Sequence, residues 1–118
     1  MNKSLIRLIF AFSAVALLFA GCKKDVDEDN LIGRWRCEND GYYYTFLDDG
    51  SGRCADSRDR GLNFSWDLDR DNLTINYSSN GDIPKPGREE WIIKKLNSTY
   101  MEAYEVGLAD ITYKFEKQ

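Results

Sequence analysis

Residues able to do chemistry are few in this chain, and the commonest proton carrier is missing, since none of its 118 residues is histidine. General acid-base catalysis rests most often on an imidazole. No Gly-rich phosphate loop, no serine in a nucleophile-elbow setting and no cysteine beside a base takes its place. Carboxylates are plentiful, but no spacing singles out two buried ones of the kind glycoside hydrolysis uses. The reading is therefore of a chain that is not an enzyme and carries no cofactor. Asp67, Asp69 and Asp71, with Asn72, imitate the alternating oxygens of a calcium loop. The glycine of its sharp turn and the later bidentate glutamate are not in place, so no metal is expected.

Two sets of side chains remain. Tyr42, Tyr43 and Tyr44 are consecutive, so in a strand Tyr42 and Tyr44 share one face and Tyr43 takes the other. They are the candidate ligand-binding residues, as a platform that stacks a sugar ring or an apolar ligand. Strand propensity and core packing account for the same residues without a ligand, and Tyr43 is then the ring expected at the surface. Cys37 and Cys54 are the candidate disulfide of an exported chain. In a meander their strands would flank a third at about 2 × 4.8 Å, beyond the roughly 7 Å between Cα atoms that a disulfide tolerates. The bond then requires the strand ends to bend together over residues 38–41; otherwise the pair are two small buried residues.

The third cysteine, Cys22, has a different setting. Lys3 and Arg7 precede an apolar run at residues 8–20 interrupted only by Ser13. Such a run is shorter than the roughly 20 residues that span hydrocarbon, which is the layout of a helical secretory signal. It ends in Leu18-Phe19-Ala20-Gly21-Cys22, which resembles the lipobox of bacterial lipoproteins, with Phe19 where that family usually has leucine. The resemblance implies that residues 1–21 are removed and that Cys22 is acylated on its sulfur and on its new amine. Several acyl chains, at about 0.8 kcal/mol per buried methylene, make a permanent membrane anchor.

Residues 22–30 carry four acidic side chains and two lysines around one valine, a composition that buries nothing and reads as a tether. At about 5–6 Å × √n it holds the following domain roughly 15 Å from the bilayer. The acidic run also resembles the export signals that carry some Gram-negative lipoproteins to the cell surface. Loss of Lys3 and Arg7 with the signal moves the net charge from −4 to −6. No basic stripe with interleaved aromatics is present, so nucleic acid is not an expected partner.

The elements that must position these residues lie in 31–118, about 88 residues and one domain's worth. Leu62, Phe64, Trp66 and Leu68 alternate with polar residues, and Leu73, Ile75 and Tyr77 repeat the pattern. Period two is a half-buried strand. With Arg70-Asp71 as a two-residue loop, Leu68 faces Leu73, Trp66 faces Ile75 and Phe64 faces Tyr77. Further strands are expected at 32–37, 42–47, 51–55, 90–96, 98–104 and 110–116, separated by Asn, Asp, Ser and Gly clusters. Eight short strands joined by hairpin-length links predict an all-β fold, an antiparallel up-and-down meander closing into a small barrel. Pro84 and Pro86 fall in the one longer connection, at 78–88, where they interrupt no ladder.

Gly33-Arg34-Trp35, the Asp48-Asp49-Gly50-Ser51-Gly52 turn after Tyr44-Thr45-Phe46-Leu47, Phe64-Ser65-Trp66-Asp67-Leu68 and Leu73-Thr74-Ile75 together resemble the small lipocalin-like domains of bacterial lipoproteins. The likeness covers about residues 31–116. It implies a small barrel with Trp35 closing one end, so Trp35, like Trp66, is expected to be structural. An eight-stranded barrel is just wide enough to be filled by its own side chains or to hold one small ligand. With so many aromatic residues, a filled core is expected. The function that follows is a lipid-anchored protein of the cell envelope, held at the outer membrane on its periplasmic or exposed face and binding a small molecule or an envelope component. The alternative is a protein-interaction module, an accessory subunit or a hydrolase inhibitor. Trp35-Arg36-Cys37-Glu38-Asn39 is loosely similar to the opening of small lipid-anchored lysozyme inhibitors, although their Ser-Gly-x-x-Tyr loop is not found in this chain.

Overall fold

Apolar alternation at Leu62, Phe64 and Trp66 builds the longest hairpin of the molecule, and the rest of the sheet is laid beside it. The structure, a computed structural model, describes residues 26–79 and 81–118. The signal at 1–21, Cys22 and the start of the tether lie outside the described residues. Eight strands follow one short helical turn, α1 (Glu28–Leu31): β1 (Gly33–Cys37), β2 (Tyr43–Phe46), β3 (Ser51–Ala55), β4 (Gly61–Asp69), β5 (Asn72–Tyr77), β6 (Arg88–Leu96), β7 (Tyr100–Glu105) and β8 (Tyr113–Lys117). Each strand pairs antiparallel with the next, and β1 pairs with β8, so the sheet is a closed barrel. This is the all-β up-and-down meander of eight strands that the sequence predicts.

The β4–β5 register pairs Leu68 with Leu73, Trp66 with Ile75 and Phe64 with Tyr77, as the alternation requires. Arg70 opens its loop with a φ of 63°, a left-handed conformation that costs a residue with a side chain about 1–2 kcal/mol. Burial of the hydrophobic face on both strands holds it there. Where strand ends differ from the expected ones, tight turns decide. The Asn97 carboxamide accepts from the backbone N–H groups of Thr99 and Tyr100, which delays β7 to Tyr100. Two tight turns, Leu108 N–H to Glu105 and Ile111 N–H to Leu108, postpone β8 to Tyr113.

The two ends of the barrel differ. At one, Val26 packs on the core and α1 lies across the opening, capped by the Asp27 carboxylate, which accepts from the Asp29 N–H. Residues 26–30, read from the sequence as part of the tether, are thus folded against the barrel. Trp35 stands beneath α1, fully buried, its indole N–H donating to the Leu31 carbonyl at 2.8 Å. Trp66 donates to the carbonyls of Leu47 and Ser51, latching the β2–β3 turn. Both tryptophans are buried and bound to backbone carbonyls. The interior is filled by aromatic and aliphatic side chains, among them Tyr44, Phe46, Phe64, Trp91, Met101 and Phe115. Each such burial is worth about 1.5–3 kcal/mol.

That filling leaves no room at Gly52, where a methyl group would overlap the Phe64 ring and the Thr45 carbonyl. Gly52→Ala should therefore cost roughly 1–3 kcal/mol in urea unfolding. Gly87→Ala, with nothing within 4 Å and an ordinary φ, should change stability by less than about 0.5 kcal/mol.

Candidate functional site

Opposite α1, the ends of β1, β5 and β7 and the starts of β2, β6 and β8 surround the mouth of the barrel. Residues 81–87, in the connection after β5, run across it as a strap. Its ends are pinned: the Ser78 N–H donates to the Asn63 carbonyl, the Asp82 N–H to that of Gly61, and the Tyr77 N–H to that of Gly87. In Ile83-Pro84-Lys85-Pro86 each proline disfavours the helical region for the residue before it, which favours extended backbone at Ile83 and Lys85. Extended backbone alternates its side chains: Pro84 and Pro86 are exposed, while Ile83 packs on the core and the Lys85 side chain is 8% exposed.

The Lys85 ammonium donates to the Tyr44 hydroxyl at 2.7 Å and lies 3.5 Å from Glu89 Oε2. The rings of Tyr42, Tyr44 and Tyr77 surround it, with centroids 5.2, 5.0 and 5.5 Å away. The proton directions around it are fixed by chemistry. An ammonium only donates, so the Tyr44 oxygen accepts and its own proton goes to Asp40 Oδ2 at 3.1 Å. A carboxylate only accepts, so Tyr77 donates to Glu89 Oε1 at 2.6 Å and leaves Oε2 for the cation. Burial pushes the phenols of Tyr44 and Tyr77 far above their ordinary range, which keeps both protons in place. Edge contacts with Trp91 and Phe115 hold the Tyr44 ring.

Beside the ammonium lies a cavity of about 80 Å³, lined by Cys37, Asp40, Trp91, Glu105 and Tyr113 together with the residues already placed there. It has room for a terminal group, not for a drug-sized molecule, whose pockets run to about 300 Å³ and above. Burial, then the nearby Glu89, raises the Glu105 carboxyl above its usual range. Burial likewise raises the Tyr113 phenol.

Of the tyrosine run, Tyr42 and Tyr44 reach the site and Tyr43 does not. Tyr43 is half-buried on the outer face beneath the Arg34 guanidinium, 4.3 Å from its ring centre. Cys37 and Cys54 are two free, buried thiols on β1 and β3, with β2 between them. Burial pushes Cys37 up to about 11 and Cys54 to about 12. The loop at 56–60 folds on itself, the Asp56 carboxylate accepting from two backbone N–H groups and pairing with Arg60. Among the described residues no group of three His, Cys, Asp or Glu side chains could hold a metal ion, and Asp67 and Asp69 are exposed on the outer face. Lys85 and Glu89 were not singled out by sequence reasoning. The signal available was the Ile83-Pro84-Lys85-Pro86 alternation, which sends one apolar and one charged side chain the same way.

Compared with known proteins, the chain matches no family model, no curated protein and no solved structure. Its geometry alone defines it as a closed, aromatic-filled eight-stranded barrel with an acidic, aromatic mouth.

Two outcomes check the site. Tyr77→Phe removes a hydrogen bond to a buried carboxylate and should cost about 1.5–3 kcal/mol in unfolding free energy. In folded protein at pH 8, peptides containing Cys37 and Cys54 should resist alkylation and react fully in denaturant, because the nucleophile is the thiolate and both thiols are held protonated and buried. A mass 2 Da below the reduced form would show a disulfide instead.

Proposed function

We propose that this chain is a lipid-anchored, non-catalytic, lipocalin-like protein of the cell envelope that captures a small molecule, or the end group of an envelope component, at the barrel mouth. The observation that carries this reading is the gathering of polar chemistry at one end. Asp40, Glu89, Glu105 and the phenols of Tyr44 and Tyr77 converge there, while the core beneath is filled. A few polar groups converging on a concave, aromatic-lined space are what fixes a ligand's orientation in a binding site. The mouth also lies opposite α1, the end at which the chain arrives from Cys22. An anchor at Cys22 would therefore turn the mouth away from the bilayer, toward the periplasm or the exterior. With residues 26–30 folded on the barrel, only the few residues after Cys22 remain as tether.

A second reading, a protein-interaction module, is favoured by one observation. Val106, Leu108 and Ile111 are each about half exposed on the β7–β8 loop, next to Glu105 at the mouth. Three large apolar side chains on one loop tip form a contact surface of the kind partners cover.

Mass spectrometry of protein purified from the membrane fraction should find the chain beginning at an acylated Cys22, and Cys22→Ser should move it to the soluble fraction. Unmodified Cys22 in membrane-derived protein sinks the anchor. Native mass spectrometry of the same extract should show a small-molecule adduct that Asp40→Asn with Glu105→Gln removes. A bound polypeptide released by Val106→Ser with Leu108→Ser supports the second reading instead.

A further inference from the structure

We infer that the mouth is a binding site for a primary alkylammonium ion and that Lys85 is its built-in occupant, which an external amine displaces. This rests on the reading of the mouth as a capture site and names what it captures.

The cradle is an acceptor. Both phenols spend their protons on carboxylates, so the oxygens of Tyr44 and Glu89 that remain can only receive N–H bonds. The rings of Tyr42 and Tyr77 flank the cation while Tyr44 presents its hydroxyl edge, and a desolvated cation beside aromatic rings is attracted to them. The charge is unbalanced: three carboxylates, Asp40, Glu89 and Glu105, face the cavity and its lining holds one ammonium. Space remains beside that ammonium, against Trp91 and Tyr113.

The occupant is not there for stability. A buried ion pair is weak as a stabilising device, and an apolar residue of similar size is often neutral or better in its place. Ile83, two residues earlier, shows that the strap can seal with an apolar side chain. Lys85 does something an apolar side chain does not, which is to satisfy the acceptors while no ligand is present. The strap is also the element best able to leave. Pro84 and Pro86 have no N–H, and among the described residues no backbone hydrogen bond ties 83–86 to the barrel. Few backbone bonds and a surface course place such a segment at the low end of local stability.

Displacement fits one ligand class best. The 2.7 Å bond to Tyr44 needs an N–H, so a primary ammonium replaces it and a quaternary one does not. The channel left by Lys85 suits an unbranched chain of about four carbons, the length of the side chain it replaces. A diamine of that length brings two positive charges to a mouth whose lining holds three carboxylates.

The test is a titration of the intact protein, extracted in detergent, with 1,4-diaminobutane, followed by tryptophan fluorescence and by amide exchange of the strap. Wild-type protein should bind saturably and the amides of residues 81–83 should exchange faster on binding. Lys85→Ala, which removes the ammonium and empties its channel, should bind at least about tenfold more tightly, the competing state being removed. Glu89→Gln in the Lys85→Ala background should abolish binding, and tetramethylammonium should bind more weakly than the diamine. Acetyl-Gly-Lys-Gly-amide binding as tightly as the diamine would identify lysine side chains of a polypeptide as the source of the ammonium. No saturable binding to wild-type protein or Lys85→Ala, or equal affinities for the two, would overturn the inference. In that case a small-molecule adduct in envelope extract, still lost with Asp40→Asn and Glu105→Gln, would keep the capture reading standing without the amine.

Discussion

Closure of the sheet between β1 and β8 is the constraint from which the rest follows. An antiparallel meander that stays open leaves two edges of unpaired backbone groups, and closing it removes both at once. The circumference is then fixed by eight strands, and at that size the interior holds little more than its own side chains. Three tryptophans and the inward tyrosines and phenylalanines fill it. A ligand the size of those in larger barrels has nowhere to go. Whatever chemistry the molecule carries is forced to the ends, where strands stop and side chains meet solvent.

At the ends the hydrogen-bond requirement takes over from packing. Strand termini and turns leave N–H and C=O groups that a ladder no longer satisfies. At the α1 end, side chains take them up: Trp66 donates to two turn carbonyls, Asn97 accepts two backbone N–H groups, and Lys117 donates to the Asn30 carbonyl. At the mouth, the strap supplies its own backbone partners at its ends and brings a charged side chain into the middle. The polar network there runs through Asp40, Tyr44, Lys85, Glu89 and Tyr77, every bond of it made by side chains.

Much of the barrel was legible because strand alternation is a local signal. From Leu62 to Tyr77 each residue's neighbours two positions away report its face, and the turn at Arg70-Asp71 sets the register of the hairpin without reference to anything distant. Tyr42 and Tyr44 could be assigned to one face for the same reason. The site was not legible, because its bonds join residues far apart: Lys85 reaches Tyr44 across 41 positions. No spacing announces such a contact. Tyr77 read as one more apolar strand residue, and its hydroxyl acquired a role only once β6 put Glu89 beside it. Tyr43 was expected at the surface because the outer face is solvent in a meander, but Arg34 on the neighbouring strand lies over it, a diagonal contact fixed by register. Turns that bind their own backbone, as at Asn97, shift strand ends by a residue or two, which alternation cannot register.

A lysine ammonium lies over an aromatic ring at each end of the barrel, and the two differ in a way that bears on what each is for. Lys117 sits 4.7 Å from the centre of the Trp35 ring and donates to a backbone carbonyl, on a strand held by ladders to β1 and β7. Its partners are neutral, so moving it away would leave no charge uncompensated, and its strand cannot move without opening the barrel. Lys85 sits among carboxylates on a segment whose two prolines contribute no backbone donors. Moving it leaves a negative site that another cation must fill, and the segment can move while every ladder stays intact. The same chemical group is thus a fixed rivet at one end and an exchangeable one at the other, and the difference comes from the charge of the partners and the backbone that carries it.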